Sequence, residues 1–452
     1  MQQLDSRGHG LSTANSAAAE AFNAGMSSFV NWRTDAMGHL DNAMAADDGF
    51  AMPKLTKGWI LQTGRTAAFL PVIKGLLADA APLMGKANAR EQAYFDSLAA
   101  ASEGRGVVAA TILETMLASN PTDLLAQRLV QFELFWNGRA KWMRDIVERA
   151  APSWSDDVVD FGCFNSVRAF SNEEAGDYEL AERCGRLAVE INPSDVWGTH
   201  AVAHVHAMQG RVGDGVAWLE GLSGNWGAAN QIGHHLWWHL CIMLLEQGDH
   251  DRILDLLTAQ VRNPNSPLVQ AMPDATIDLQ NVASLVMRLD LRGVDVTQQW
   301  GILAGICAGR VGDCANPFSS AHDMMVLAAT GQFDLAEQLM DGIRAFAATQ
   351  GPGAAGSLVT AYRAAGVPLC EAVLAHRRGE YDRVIELMSP IRHDLHLVGG
   401  SHAQRDVFFQ ILLDAAHRGG RDDLIPQYFD DIRRLGFDLV EQRTFYRDLA
   451  AA

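Results

Sequence analysis

Apolar positions along the chain recur at three- and four-residue spacing in helix-length runs, each run stopping at a glycine before the next begins. The first turn glycines, Gly104, Gly138, Gly176, Gly210 and Gly248, stand 34, 38, 34 and 38 residues apart. Gly293, Gly331, Gly379 and Gly419 extend the series at spacings of 45, 38, 48 and 40. A period near 34 built from helix–turn–helix units is the tetratricopeptide signature. Asn-Pro-x-Asp closes two units, at Asn120-Pro121-Thr122-Asp123 and Asn192-Pro193-Ser194-Asp195. The proline cannot continue a helix, and the aspartate is suited to cap the next one.

Sustained period-two runs of β-branched residues are absent, so strands are not expected. The pattern predicts an all-α fold, a tetratricopeptide-like α/α superhelical solenoid of about nine imperfect helix pairs. It reads as one continuous array over 1–452, with an N-terminal helical cap region at 1–87, regular repeats at 88–262 and irregular repeats at 263–452. Asn263 to Asp278, Asp313 to Ser320 and Ala348 to Val367 break the period and read as inter-repeat loops. The last holds Gly351-Pro352-Gly353, residues suited to a mobile loop.

Histidines fall unevenly on this register. Six of the fifteen, His200, His204, His206, His234, His235 and His239, lie within forty residues. His200/His204 and His235/His239 are i, i+4 pairs, which share a helix face. In arrays of this type the first helix of each pair lines the concave wall, and each turn glycine closes a first helix. Counting back from Gly210, Gly248 and Gly331 therefore puts His200, His204, His235, His239 and His322 towards one concavity. His206 and His234 fall on other faces. Of the adjacent Trp237 and Trp238, one is expected at the groove and the other between helices.

Two HxxxH pairs carry enough imidazoles for a divalent metal with one position left open, although neither has the glutamate of HExxH. The same residues without a metal suit acid/base work near neutral pH or donation to an anionic or carbonyl ligand. In the plainest alternative they hydrogen-bond among themselves and to neighbouring indoles.

Charge narrows the partners. Lys and Arg total 36 against 54 Asp and Glu, a formal net charge of −18, which disfavours nucleic acid and anionic lipid surfaces. The six cysteines form no CxxC pair, so neither a cysteine zinc site nor a disulfide framework is expected. Met1 to Gly10 lacks an apolar h-region, and no run approaches the 18 apolar residues of a membrane span. A cytoplasmic location is the expectation.

A second constellation lies at Gly399-Gly400-Ser401-His402-Ala403-Gln404-Arg405-Asp406-Val407-Phe408. Gly-Gly leads into a Ser or His cap, and the helix that follows carries an amide, a guanidinium and a carboxylate. Arg405 is the candidate anion anchor and Asp406 a candidate to orient it or a histidine.

This segment, the run Trp197–Arg211, and His235-Leu236-Trp237-Trp238-His239 together resemble the tetratricopeptide repeat protein 38 family. Gly10-Leu11-Ser12-Thr13 with Phe22 and Trp32, and Ser319-Ser320-Ala321-His322, fit the same pattern. The resemblance spans nearly the whole chain and rests on His200, His204, His235, His239, His322, Gln404, Arg405 and Asp406. It implies a tetratricopeptide-like α-solenoid in the cytoplasm and no particular activity.

Three functions follow. The first is binding of a small molecule or peptide in a concave pocket, with His200, His235, Trp237, Trp238, His322, Gln404 and Arg405 as binding residues. The second is a hydrolytic or acid/base enzyme, with His204 or His239 moving the proton, Asp406 orienting an imidazole, Arg405 anchoring substrate and a divalent metal as an option. The third is an ordinary protein-docking scaffold. Oligomeric state is not readable from the sequence.

Overall fold

The computed structural model describes residues 3–350, 356–436, 440 and 443–451. Its regular structure is helical apart from one short antiparallel pair, Gln3–Leu4 with Gly10–Leu11, and an isolated bridge between Arg33 and Ala229. The architecture is all-α, built from tetratricopeptide-like helix pairs.

The turn glycines explain the pairing. Gly104, Gly138, Gly176, Gly210, Gly248, Gly293, Gly331 and Gly379 all take left-handed conformations, with φ between +65° and +89°. Glycine adopts that conformation without a Cβ clash, so it ends one helix and lets the next fold back. In the last turn Gly420 (φ +70°), and not Gly419, has this role. Both expected aspartate caps form. Asp123 Oδ1 accepts from the Ala126 backbone N–H at 3.2 Å, and Asp195 Oδ1 from those of Trp197 and Gly198 at 3.1 and 2.8 Å. Each cap contributes about 1 kcal/mol.

The chain divides into two compact units. The first comprises Met1–Val202, Asn225–Asn230 and Ala355–Ser357; the second comprises Ala203–Gly224, Gln231–Ala354 and Leu358–Ala452. The division falls inside the helix Val196–Met208.

In the first unit, Leu124, Val147, Phe164 and Val167 pack with Trp154, which stacks on Phe164 at 4.4 Å. Buried Arg90 donates to Asp123 at 2.6 Å and Asp5 at 3.0 Å, tying the N-terminal strand pair to a helix cap. In the second unit, the helix Ile232–Gln247 packs on Thr276–Asp290, which also meets Pro317–Ala329 and His402–Arg418. Every residue from Asp278 to Leu289 is buried, so this central helix presents side chains to neighbours on all sides.

Two expected loops are instead partly helical. Pro267–Ala271 forms a short helix within the 263–278 insertion. From Ser357 the chain is helical through Arg377, passing a π-turn at Tyr362–Gly366. Tyr362 is fully buried and its hydroxyl meets Ser320 Oγ at 2.7 Å, while Arg363 ties the segment to the Ala347 and Thr349 carbonyls. Gly351-Pro352-Gly353 lies outside the described residues. By length and composition Ser357–Arg377 is also apolar enough to cross a membrane, contrary to the sequence expectation. Arg363 and Glu371 interrupt it, and 61% of its most apolar window is buried inside the protein, as for a core helix.

Candidate functional site

Asp195 starts the helix Val196–Met208, and one turn later that helix carries His200, then His204. His200, in the first unit, stacks on Trp197 (4.6 Å, 27°) and on Phe170 (5.3 Å, 27°). His204 belongs to the second unit, where the helix Ile232–Gln247 presents His235 and His239 one turn apart.

One ring nitrogen from each of His204, His235 and His239 lies within 4.8 Å of the others. The His204 and His239 rings are 4.5 Å apart, and those of His235 and His239 are 4.6 Å apart and nearly perpendicular. The Nε2 atoms of His235 and His239 face each other at 3.2 Å. All three side chains are buried.

The surroundings set the state of the rings. His235 Nδ1 meets Asn281 Oδ1 at 2.7 Å. An accepting amide oxygen puts the proton on Nδ1 and leaves the Nε2 lone pair pointing at the cluster. Burial pushes the His235 imidazole down to about 3, outweighing the Asn281 bond, so the ring is neutral at physiological pH. Trp238 walls the site: it stacks on His235 (4.9 Å, 12°), meets His239 edge-on (4.9 Å, 81°) and donates its indole N–H to Ser284 Oγ at 3.0 Å. The Arg288 guanidinium lies over the Trp238 ring, 5.6 Å from its centroid.

Trp237 is half-buried, and Trp238 is the tryptophan whose ring meets both His235 and His239. His234 turns away and meets Asp278 at 3.0 Å. His322 sits between Phe318 and Phe408 (4.4 and 5.6 Å), with Nδ1 on the Phe318 carbonyl at 2.7 Å.

The C-terminal constellation has different duties from those expected. Ser401 is the cap, and Gln404 closes a capping box with it, its Oε1 accepting from the Ser401 N–H at 2.9 Å. Both oxygens of Asp406 are held by Arg443 at 2.9 Å; Gln410 donates to one at 2.7 Å and the Tyr446 hydroxyl to the other. Burial opposes its charge, but Arg443 and then Arg288 hold its carboxyl below the usual range. Asp406 therefore latches the C-terminal helix Thr444–Ala451, and the expected orientation of an imidazole is replaced by this bidentate pair.

Arg405 donates to the Gly400 carbonyl and contacts His402 Nδ1 at 3.3 Å. It lines a pocket of about 20 Å³ with Arg392, His396, His402 and Phe409, room for one or two waters. None of His204, His235 and His239 lines that pocket.

Asn281, Ser284 and Arg288 are the residues sequence reasoning missed. Their spacing of three and four places them on one face of a helix that is buried throughout. Polar side chains on that face were the available signal.

No family model matches the chain. The solved structure of a human IFIT1 dimer with m7Gppp-AAAA is similar to it at 12% identity, covering 97% of this chain and 96% of that one, with a TM-score of 0.40. At that degree of overlap nothing about ligand or chemistry transfers to this protein.

Proposed function

We propose that this chain is a tetratricopeptide-like repeat protein that binds a small polar ligand at the buried His204/His235/His239/Trp238 centre. The observation that carries the reading is His235, held by Asn281 and stacked on Trp238 with its second nitrogen directed at His239. Such a ring is oriented before any ligand arrives, which lowers the entropic cost of binding.

The acid/base enzyme is less well supported. The carboxylate expected to orient an imidazole is bound instead to Arg443. The pattern shared with the tetratricopeptide repeat protein 38 family, a cytoplasmic location, and the absence of nucleic-acid and membrane partners complete the proposal. The net charge of −18 supports the exclusion of polyanions.

A thermal-shift screen with small carboxylates and amides tests the reading. A ligand at 100 times its Kd stabilises by about 2.7 kcal/mol, a readily measured shift that Trp238→Leu should abolish while far-UV helicity persists. A shift of equal size in Trp238→Leu would remove the ligand from this centre.

A further inference from the structure

We infer that His204, His235 and His239 bind one divalent transition-metal ion, zinc foremost, through their ring nitrogens, with Asn281 as the outer partner that orients His235. This rests on the ligand-binding reading above and names the ligand's class.

Two imidazole nitrogens at about 2.05 Å from zinc, spread at the tetrahedral angle, stand about 3.3 Å apart. The His235 and His239 Nε2 atoms stand 3.2 Å apart. One proton shared between two rings produces a similar separation, but it joins only two nitrogens. Here His204 brings a third within 4.8 Å. The Nδ1 contact of His235 with Asn281 Oδ1 is the outer arrangement found behind metal-bound histidine, fixing the tautomer and the ring plane.

Charge defines what the remaining position takes. Three neutral imidazole ligands supply no negative charge of their own to offset the ion's two positive charges, and Arg288 beside Trp238 adds another cation. The metal then favours an anionic further ligand, hydroxide or a small carboxylate.

The experiment uses full-length, untagged protein stripped with a chelator and titrated with Co²⁺ by visible absorption and with Zn²⁺ by calorimetry. One ion per chain is expected, with affinity 10- to 100-fold lower in Asn281→Ala and stoichiometric uptake lost in the double variant His235→Ala/His239→Ala. If that double variant loses helicity, the wild-type and Asn281→Ala titrations still decide. No stoichiometric uptake by folded wild-type protein, or unchanged affinity in both variants, overturns the inference. Repeating the thermal-shift screen on stripped and metal-loaded protein separates the two readings. A ligand that binds while stripped protein takes up no metal keeps the ligand reading and overturns the metal; metal uptake without any organic ligand does the reverse.

Discussion

Each unit carries an arginine, an indole and an imidazole in the same succession. In the first, buried Arg128 lies 5.1 Å from the Trp197 ring, Trp197 donates to Gln131, and His200 stacks on it. In the second, buried Arg288 lies 5.6 Å from Trp238, Trp238 donates to Ser284, and His235 stacks on it. Burial lowers both guanidinium groups to about 10. The settings differ. Trp197 is enclosed by Trp32, Phe132 and Phe170 at 4.6, 6.2 and 4.6 Å, so the stack there is part of an aromatic core. Trp238 is bordered by His239 and the polar Ser284, and the His235 ring stacked on it is held by the polar Asn281. One stacking motif thus serves packing where its flanks are aromatic and presents a polar, oriented imidazole where they are not.

The two arginines also differ in their counter-charge, and this supplies the largest expected effect. Arg288 feels Asp406, which Arg443 and Tyr446 hold from the C-terminal segment. Asp406→Ala leaves Arg288 and Arg443 as buried cations with only Glu246, 3.5 Å from Arg443, still beside them, a change of about 3–5 kcal/mol. Urea unfolding should show that loss. A cost below about 1 kcal/mol, typical of an exposed pair, would mean that the C-terminal helix is not anchored through Asp406.

A smaller effect separates the stacks directly. Arg128 faces two indoles, Trp32 at 5.5 Å and Trp197 at 5.1 Å, whereas Arg288 faces one. A desolvated cation–π contact is worth about 2 kcal/mol, and part is returned when a buried charge is removed. Arg128→Met should therefore be the more destabilising of the pair, by about 1 kcal/mol. The reverse order would show that attraction between Arg288 and Asp406 outweighs a second indole.

The parts of this architecture that repeat were legible, and the parts that depend on one repeat meeting another were not. Glycines at Gly104 through Gly379 mark the turns because a left-handed residue has a single-residue cause, and Asp123 and Asp195 cap because the cap is local. The HxxxH pairs were legible for the same reason, since i and i+4 share a face. Asn281 behind His235 and Arg288 over Trp238 come from the neighbouring helix, and no spacing within the Ile232–Gln247 segment announces them. Arg405 and Asp406 were read as one group because they are adjacent, but adjacent helical residues point about 100° apart. Asp406 accordingly hydrogen-bonds Arg443 while Arg405 meets Gly400 and His402, although both border the same small pocket. The 357–367 segment was read as loop from its composition, yet Tyr362 buried against Ser320 draws it into a helix.

The last test concerns His322, an imidazole held in an aromatic setting like His200 but within the unit that contains the polar centre. Burial lowers it to about 4 from an ordinary 6.5; the Phe318 carbonyl opposes that shift and the Arg288 charge reinforces it. Because the folded value lies below the unfolded one, the unfolded chain binds a proton between about pH 6.5 and 4 that the folded chain refuses. Stability therefore falls as pH drops through that window, by at most about 1.4 kcal/mol per pH unit for this one group. His322→Gln removes the titrating ring, so its stability should decline less steeply than that of the wild type from pH 6.5 to 4, with the two slopes converging above pH 7. The remaining slope belongs in part to His235, which titrates lower still. Parallel slopes in the two proteins would show that His322 takes up its proton as readily folded as unfolded, and that its cage of Phe318 and Phe408 opens to water before the unit unfolds.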